Sequence, residues 1–228
     1  MMPIILGALL MLAVVVLPGW WVQRVMKRYA TPTDRYPGTG AELARRLLDH
    51  AGLESVAVEP TEHGDHYDPE ARAVRLTEAN FNTCSLTAIT VAAHEVGHAI
   101  QHADGYQPLI VRTRMVRSVQ RFQRLGMLLI GAAPVALAAI KLPQAALILA
   151  VFGLAGLASG IFVHLATLPT ELDASFRRAL PILERGGFLK PEDRRPARRI
   201  LTAAALTYVA ASMMSLVNFA WWLRVLRP

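Results

Sequence analysis

The stretch that decides the fold is SLTAITVAAHEVGHAIQHA, Ser85–Ala103. Small and apolar residues fill most of it, Thr83 or Ser85 can cap its beginning, and Gly105 can end it. It therefore predicts one long, largely buried α-helix. The polar group His94–His98 lies in the middle of this helix. Residues four apart on a helix lie one turn apart on the same face, so the two histidines are predicted to be neighbours.

Two neighbouring imidazoles can bind one zinc ion. Glu95 directly follows His94 in the HEVGH pentapeptide and can sit beside a metal-bound water. Zinc lowers the pKa of such a water to about 7, so that a carboxylate can take its proton. Burying these groups without a ligand would be costly. The pattern predicts a hydrolytic zinc site with His94 and His98 as ligands and Glu95 as general base, with His102 solvated beyond it.

A catalytic zinc site needs a third protein ligand and an open position. The segment Glu171–Ser175, which follows a long apolar run, supplies the candidates. Thr170 and Asp173 have the spacing of a capping box, which gives Asp173 a structural role and favours Glu171 as the third ligand. Asp173 stays open as an alternative ligand or a supporting residue. His164, an ionisable residue within the apolar run, is a further candidate for supporting the site.

Apolar residues make up 54% of the 228 residues and charged ones 18%, and the apolar residues are clustered. This distribution is typical of membrane proteins. The sequence predicts a mainly α, polytopic membrane protein with a single domain, 1–228. We expect four transmembrane helices, at about 4–21, 121–140, 144–168 and 200–223. The loop at about 24–118 would carry the catalytic helix, and the loop at about 169–199 the third ligand.

The basic residues are distributed unevenly around these spans. When the apolar run of the second span is counted from Leu125, twenty-one of the 24 Lys and Arg residues lie between spans one and two or between spans three and four. Because basic loops stay on the cytoplasmic side, both loops are predicted to be cytoplasmic and both termini to lie outside the cell membrane. This topology explains the formal net charge of +7 without a nucleic-acid partner, and no nucleic-acid motif is present.

The first loop is expected to contain a small α+β region. Ala41–His50 has helical spacing, and Gly52 can cap its end. Ser55–Glu59 and Ala73–Thr77 alternate as strands do, and the segment between them is rich in turn residues. Together they predict a short β-hairpin.

Two further groups in this region have competing interpretations. The second strand of the hairpin could offer an edge for an extended substrate peptide through Val74, Arg75 and Leu76. The turn-rich segment contains a polar cluster that could bind a metal but is more typical of turns: His63, Asp65, His66 and Asp68. The single cysteine, Cys84, can form no intrachain disulfide and no multi-thiolate zinc site.

Four segments carry a family resemblance: Asp65–Pro69 (DHYDP), Val74–Leu76 (VRL), Ala92–Gln101 (AAHEVGHAIQ) and Glu171–Ser175 (ELDAS). They resemble the bacterial neutral zinc metallopeptidases of the YugP type, which are membrane proteins, and the resemblance covers nearly the whole chain. It implies a gluzincin-like peptidase with two histidines on one helix and a glutamate on a later one. The plan is also similar to that of the HtpX-like membrane proteases, which carry Asp where this chain has Ser175.

The sequence as a whole predicts a zinc-dependent endopeptidase with one zinc ion per chain. Its substrates would be peptides or proteins, in particular membrane-associated ones, cleaved at the cytoplasmic face. Two alternatives remain. The site could lie within the bilayer, although polar residues flank the motif helix, or the chain could be a scaffold with an inactive metal site. Cobalt or manganese can occupy similar sites. The sequence predicts neither the natural substrate nor the oligomeric state.

Overall fold

The computed structural model describes residues 2–141, 143–207 and 224. Its contacts divide the chain into two compact units. We call Gly19–Ile110 together with Leu168–Thr207 the site unit, and Met1–Pro18, Val111–Thr167 and Tyr208–Pro228 the helical unit. The described chain is mostly helical with one small sheet, as predicted.

The regular elements follow one another in a simple order. Three helices and three strands precede the motif helix: α1 (Met2–Tyr29), α2 (Gly40–His50), β1 (Ala57–Thr61), β2 (His66–Asp68), β3 (Ala73–Thr77) and α3 (Glu78–Phe81). The motif helix and the rest come next: α4 (Leu86–Ala103), α5 (Gln107–Val135), a π-helical turn (Ala136–Ile140), α6 (Pro143–Leu172), a second π-helix (Asp173–Ala179), α7 (Leu180–Arg185), a 3-10 turn (Pro191–Asp193) and α8 (194–207).

Helix α4 forms where the sequence predicts it. The Ser85 hydroxyl caps its first turn by accepting a hydrogen bond from the Ala88 amide at 3.1 Å. Gly105 ends it by adopting a φ of +63°, a left-handed conformation that glycine takes without steric cost. The predictions of α2 and of its end at Gly52, whose φ is +67°, are also confirmed.

The core of the site unit surrounds α4, which is buried along almost its whole length. Leu86, Ala92 and Val96 of α4 are each at most 2% exposed. Apolar side chains from the neighbouring elements complete this core: Leu43 and Leu48 of α2, Val74 and Leu76 of β3, Leu183 of α7, and Ile200 and Leu201 of α8. A helix packed on all sides can hold polar side chains in fixed positions.

The sheet differs from the predicted hairpin. Strand β1 pairs in parallel with β3, with Ala57 opposite Ala73 and Thr61 opposite Thr77. Strand β2, which the sequence analysis took for part of a turn, pairs antiparallel with β3 and gives the order β1-β3-β2. Strand β3 is therefore central. Its residues Val74 and Arg75 are paired on both sides, and Leu76 is paired with β1. The strand is therefore not the free edge for a substrate that the sequence predicted.

The prediction of four membrane spans is also wrong. Among the described residues, one helical stretch, Pro143–Gly160, is long and apolar enough to cross a membrane. Over the second predicted span, the α-helix contains Arg121 and Arg124 and ends at Val135, where it becomes a π-helical turn. The apolar part that remains is shorter than the about 20 residues that a span requires.

The other two predicted spans lie partly outside the described residues. Helix α1 covers the first, but most of its side chains before Val16 are outside the described residues, so the structure does not test this span. The fourth begins in α8, and its residues 208–223 are likewise not described. The described residues thus contain one candidate span, Pro143–Gly160, which overlaps the third predicted one.

In the helical unit, α5 and α6 approach each other at glycines. A Cβ atom at Gly126 would lie 2.9 Å from the carbonyl oxygen of Gly153 and 3.0 Å from the Cα atom of Gly156. Small residues of this kind let two helix backbones pack closely.

A buried carboxylate ties the segment before α2 to the 3-10 turn in the site unit. Asp193, 3% exposed, accepts two hydrogen bonds of 2.7 Å from the Arg35 guanidinium and one of 2.5 Å from the Tyr36 hydroxyl. Burial alone would raise the pKa of Asp193, but the hydrogen bonds from Arg35 and Tyr36 outweigh it and lower this pKa below its usual value.

We expect Asp193→Ala to reduce the stability of the site unit at neutral pH by about 2 kcal/mol, because it leaves the partners of a charged hydrogen bond unpaired. The pKa of Asp193 is lower in the folded state than the unfolded value of about 3.9. The stabilisation is therefore present above about pH 4 and is lost as the pH falls through the folded-state pKa. Thermal unfolding in detergent at several pH values measures it. Glu192→Ala, at an exposed neighbour, is the control. A stability difference that does not shrink in acid would contradict this account.

Candidate metal centre

The polar residues of the motif are held inside the core and not on a solvated face. His94, Glu95 and His98 are 4%, 6% and 5% exposed. The one-turn spacing brings the two imidazoles together as predicted, with ring centroids 4.8 Å apart and ring planes at 78°. Such edge-on rings can direct one nitrogen each toward a common point.

A carboxylate from the last turn of α6 completes this cluster. Glu171, 1% exposed, places its Oε2 atom 3.2 Å from His94 Nε2 and 3.3 Å from His98 Nε2. The candidate ligand atoms of the three residues all lie within 4.8 Å of one another. Within the described part of the chain, this is the one cluster of at least three His, Cys, Asp or Glu side chains that could hold a metal ion.

The distances fit a tetrahedral zinc ion. Nitrogen and oxygen ligands that lie about 2.0–2.2 Å from zinc at tetrahedral angles are about 3.3 Å apart. The two measured separations, 3.2 and 3.3 Å, agree with this spacing. Two imidazoles and one carboxylate are also a donor set of known catalytic zinc sites, in which the fourth position stays open.

The electrostatics favour an ionised carboxylate at this position. Burial alone would raise the pKa of Glu171, but the neighbouring His98 and His94 outweigh it and hold the pKa well below its usual range. Glu171 is therefore a carboxylate at neutral pH, which is the form that binds a metal.

A hydroxyl group orients the first imidazole. The Ser175 hydroxyl lies 3.1 Å from His94 Nδ1 and donates to the carbonyl oxygen of Leu201 at 3.4 Å. Because a carbonyl can only accept, the Ser175 oxygen is left to accept from His94 Nδ1–H. This tautomer leaves the Nε2 lone pair of His94 available to a metal. Ser175 thus supports a histidine at the position where the HtpX-like proteases carry aspartate.

An amide orients the second imidazole. His98 Nδ1 lies 2.9 Å from Gln101 Oε1, and the Gln101 side chain is fully buried. Gln101 Nε2 donates to the Thr170 carbonyl at 2.9 Å and to Asp173 Oδ2 at 2.8 Å. Both of these partners are acceptors, so the orientation of the Gln101 amide is fixed. His98 must then donate from Nδ1, which leaves Nε2 as its nitrogen that can bind a metal.

Asp173 lies behind the cluster and is not part of it. Its Oδ2 atom accepts from Gln101 and, at 2.9 Å, from Arg178 Nε. Arg178 also donates from Nη1 to Asp104 just after α4, at 2.5 Å. The predicted capping box is wrong, because Thr170 lies inside a continuous helix and Asp173 begins the π-helix that follows. Asp173 instead supports His98 through Gln101.

The backbones of α4 and of the π-helix Asp173–Ala179 approach each other closely at Gly97. A Cβ atom at Gly97 would lie 2.8 Å from the carbonyl oxygen of Ala174. Real Cβ atoms essentially never come so near. Glycine between the two histidines therefore lets Glu171 reach them. A π-helix at such a point is common near functional sites.

The remaining candidates lie elsewhere. His164 belongs to α6, and its side chain is outside the described part of the structure. His102 is half-buried and pairs with the Tyr67 hydroxyl at 2.8 Å, so it is neither a member of the cluster nor fully solvated. Among the described residues the polar segment forms no metal cluster. Asp68 accepts from the Glu70 and Ala71 amides as in a turn, and His66 pairs with the nearby Gly64, although both residues belong to β2. Asp65 instead accepts from the more distant Thr77 and Asn80.

Gln101 and Arg178 were missed by the sequence analysis. Gln101 lies three residues after His98, a spacing that places both on one helix face, so its role could have been suspected. Its partner Asp173 lies 72 residues further along the chain. No local pattern reveals that contact, and none singles out Arg178.

We expect Gly97→Ala to weaken zinc retention and to destabilise the site unit by about 1–3 kcal/mol, because the added methyl group pushes the π-helix and Glu171 away. Zinc content after gel filtration and thermal unfolding measure the two effects. Gly131→Ala on α5 adds the same methyl group where no atom lies within 4 Å. Equal zinc retention and equal stability of Gly97→Ala and Gly131→Ala would argue against the close approach of the two backbones.

We expect Gln101→Leu to lower zinc affinity about 10- to 100-fold, because His98 loses the acceptor that fixes its tautomer. Competition with a fluorescent chelator measures this affinity without any need for catalysis. Gln107→Leu, at the exposed start of α5, is the matched control. Unchanged affinity in Gln101→Leu would contradict the orienting role.

Comparison with known proteins is consistent with this geometry. The sequence profile of the family described as "Putative neutral zinc metallopeptidase" matches residues 4–227. The chain is also 37% identical over 210 residues to "Putative membrane protease YugP" of Bacillus subtilis (strain 168), covering 87% of each chain. No solved structure matches. The chain therefore belongs to the neutral zinc metallopeptidase family that this description names.

Proposed function

We propose that this protein is a zinc-dependent endopeptidase of the HEXXH, gluzincin-like type that hydrolyses peptide bonds in protein substrates. The observation that carries the proposal is the buried cluster of His94, His98 and Glu171, with Glu95 between the two histidines on the same helix. Three ionisable ligands packed inside a core are costly unless a cation compensates them. One cluster of this kind among the described residues corresponds to one zinc ion per chain.

Each of these residues has a separate role in peptide hydrolysis. His94, His98 and Glu171 would hold the ion, which when bound would lower the pKa of a water to about 7 and polarise a carbonyl group. Glu95 accepts a proton from the attacking water, whose oxygen bonds to the carbonyl carbon of the peptide. As the carbon–nitrogen bond breaks, Glu95 returns the proton to the leaving amine. The sum is one water consumed and two chain ends formed.

The supporting residues keep the two imidazoles in the form that binds a metal. Ser175 and Gln101 each accept from a Nδ1–H, so that both Nε2 atoms keep their lone pairs. Asp173 and Arg178 hold Gln101 in turn. Partners of this kind raise the basicity of the ligands and fix their direction before the ion arrives.

We further propose that the enzyme acts on membrane-associated substrates at the cell membrane. Two observations support this. The relative from Bacillus subtilis is named as a membrane protease, and α6 contains the apolar stretch Pro143–Gly160. The cytoplasmic position of the segments 24–118 and 169–199 stays a prediction from their content of Lys and Arg.

We expect Glu95→Gln to retain about one zinc per chain and to lose about 10²- to 10⁴-fold in cleavage rate, because the amide cannot accept the proton of the water. Glu171→Ala is expected to lose both zinc and cleavage, since a ligand is gone. Metal analysis and a protein-cleavage assay on detergent-purified protein measure the two properties.

Glu54→Gln, at an exposed carboxylate, is the control and should match the wild type in both properties. Asp173→Ala tests the other candidate ligand. Zinc lost in Asp173→Ala but fully retained in Glu171→Ala would make Asp173 the third ligand. Cleavage that persists in Glu95→Gln would overturn the proposed base.

A further inference from the structure

Two open cavities lie side by side in the site unit, away from the three candidate ligands. One, of about 540 Å³, is bordered by Tyr36 and Lys190, and the other, of about 510 Å³, by His50 and Arg178. Both are lined by Gly186 and Phe188, so they lie next to each other between α2 and residues 177–191. We call this pair of cavities the basic groove.

The floor of the basic groove is apolar. Leu43 and Leu47 contribute from one face of α2, and Ile89 and Ile100 contribute from the motif helix α4. Phe188 lies where the two cavities meet and is partly exposed. A floor of this kind favours a ligand with apolar side chains, because burying them removes apolar surface from water.

The rim of the basic groove is cationic. Arg46 lines one cavity together with Lys190, and Arg177 and Arg185 line the other, whereas no Asp or Glu lines either. Arg46, Arg185 and Lys190 are exposed and form no salt bridge within 4.0 Å among the described residues. The charges of Arg46 and Arg185 are therefore available to a ligand, whereas Lys190 lies 5.6 Å from the centroid of the Tyr36 ring and helps to lower the pKa of Asp193.

Three carboxylates close to the basic groove are engaged by other residues. Asp193 accepts from Arg35 and Tyr36, and Glu184 accepts from Arg194. Asp173 accepts from Arg178, which itself lines the groove. Arg178 is offset by its carboxylate partners, but Arg46 and Arg185 form no salt bridge among the described residues, so the lining keeps a net positive charge that favours an anionic ligand.

We propose that the basic groove binds an extended peptide segment that alternates acidic with apolar side chains. Alternate side chains of an extended peptide point to opposite sides, so apolar ones can reach the floor while carboxylates reach the rim. Arg178 joins this surface to the metal cluster, because it holds Asp173 and thereby Gln101 beside His98. The bound segment belongs to a substrate and lies at a distance from the peptide bond that is cut. This assignment to a substrate rests on the proposed peptidase activity, whereas the binding of the peptide does not.

The test measures peptide binding to the full chain in neutral detergent, in the Glu95→Gln background so that nothing is cleaved. A short labelled peptide that alternates glutamate with leucine is compared with its lysine–leucine counterpart by fluorescence anisotropy. We expect the acidic peptide to bind at least about tenfold more tightly, and the difference to shrink as salt is raised.

Charge reversal makes the result specific. We expect Arg46→Glu with Arg185→Glu to weaken binding of the acidic peptide about tenfold and to strengthen binding of the lysine peptide, a gain that an unfolded variant could not show. Arg121→Glu with Arg124→Glu, on α5, is the matched control and should change neither. Equal binding of the two peptides, or an equal loss in the control, would overturn the proposal. Displacement of the acidic peptide by phosphatidylglycerol micelles would assign the groove to lipid and overturn it too.

The result of this binding test does not depend on whether the proposed peptidase activity is correct. Binding of the acidic peptide without any cleavage by the wild-type chain would leave the groove in place and reject the peptidase. Cleavage of unrelated proteins without selective binding of the acidic peptide would support the peptidase and reject the peptide-binding groove.

Discussion

The structure depends on the convergence of two imidazoles and one carboxylate inside a packed core. Ionisable groups lose their hydration when they are buried, and they are tolerated there when opposite charges or a metal replace that hydration. Glu171 meets His94 and His98 at 3.2 and 3.3 Å, separations that match neighbouring ligands of a tetrahedral zinc ion. The surrounding fold holds these side chains together.

Two features outside His94, His98 and Glu171 allow these three side chains to converge. Gly97 removes the side chain that would separate α4 from the π-helix following Glu171. Ser175 and Gln101 then fix each imidazole through its Nδ1 atom, and Asp173 with Arg178 holds Gln101 in place. The site is thus organised before a metal binds, which lowers the free energy needed to order the ligands on binding.

The parts that the sequence predicts well are those set by short-range geometry. Residues four apart must share a helix face, so the pairing of His94 with His98 follows from local structure alone. Glu171 was found by chemistry, because a site with two histidines commonly takes a glutamate. The sheet was harder, since β2 has three residues, too few for an alternating pattern, and its pairing with β3 displaced the expected hairpin. The contacts of Gln101 with Asp173 depend on tertiary packing that no local pattern encodes. The second span was predicted wrongly because hydropathy does not show where a helix changes to a π-helical turn.

X-ray absorption at the zinc K edge of the purified full-length protein tests the central claim most directly. It reports the number, element and distance of the atoms around the metal in solution, independently of any assay for cleavage. The account predicts a zinc ion with two imidazole nitrogens and light-atom carboxylate and water oxygens at about 2.0–2.2 Å. The imidazole signal should fall to one in His98→Ala. A sulfur neighbour, a single imidazole in the wild type, or no bound zinc at all would contradict the site described for this chain.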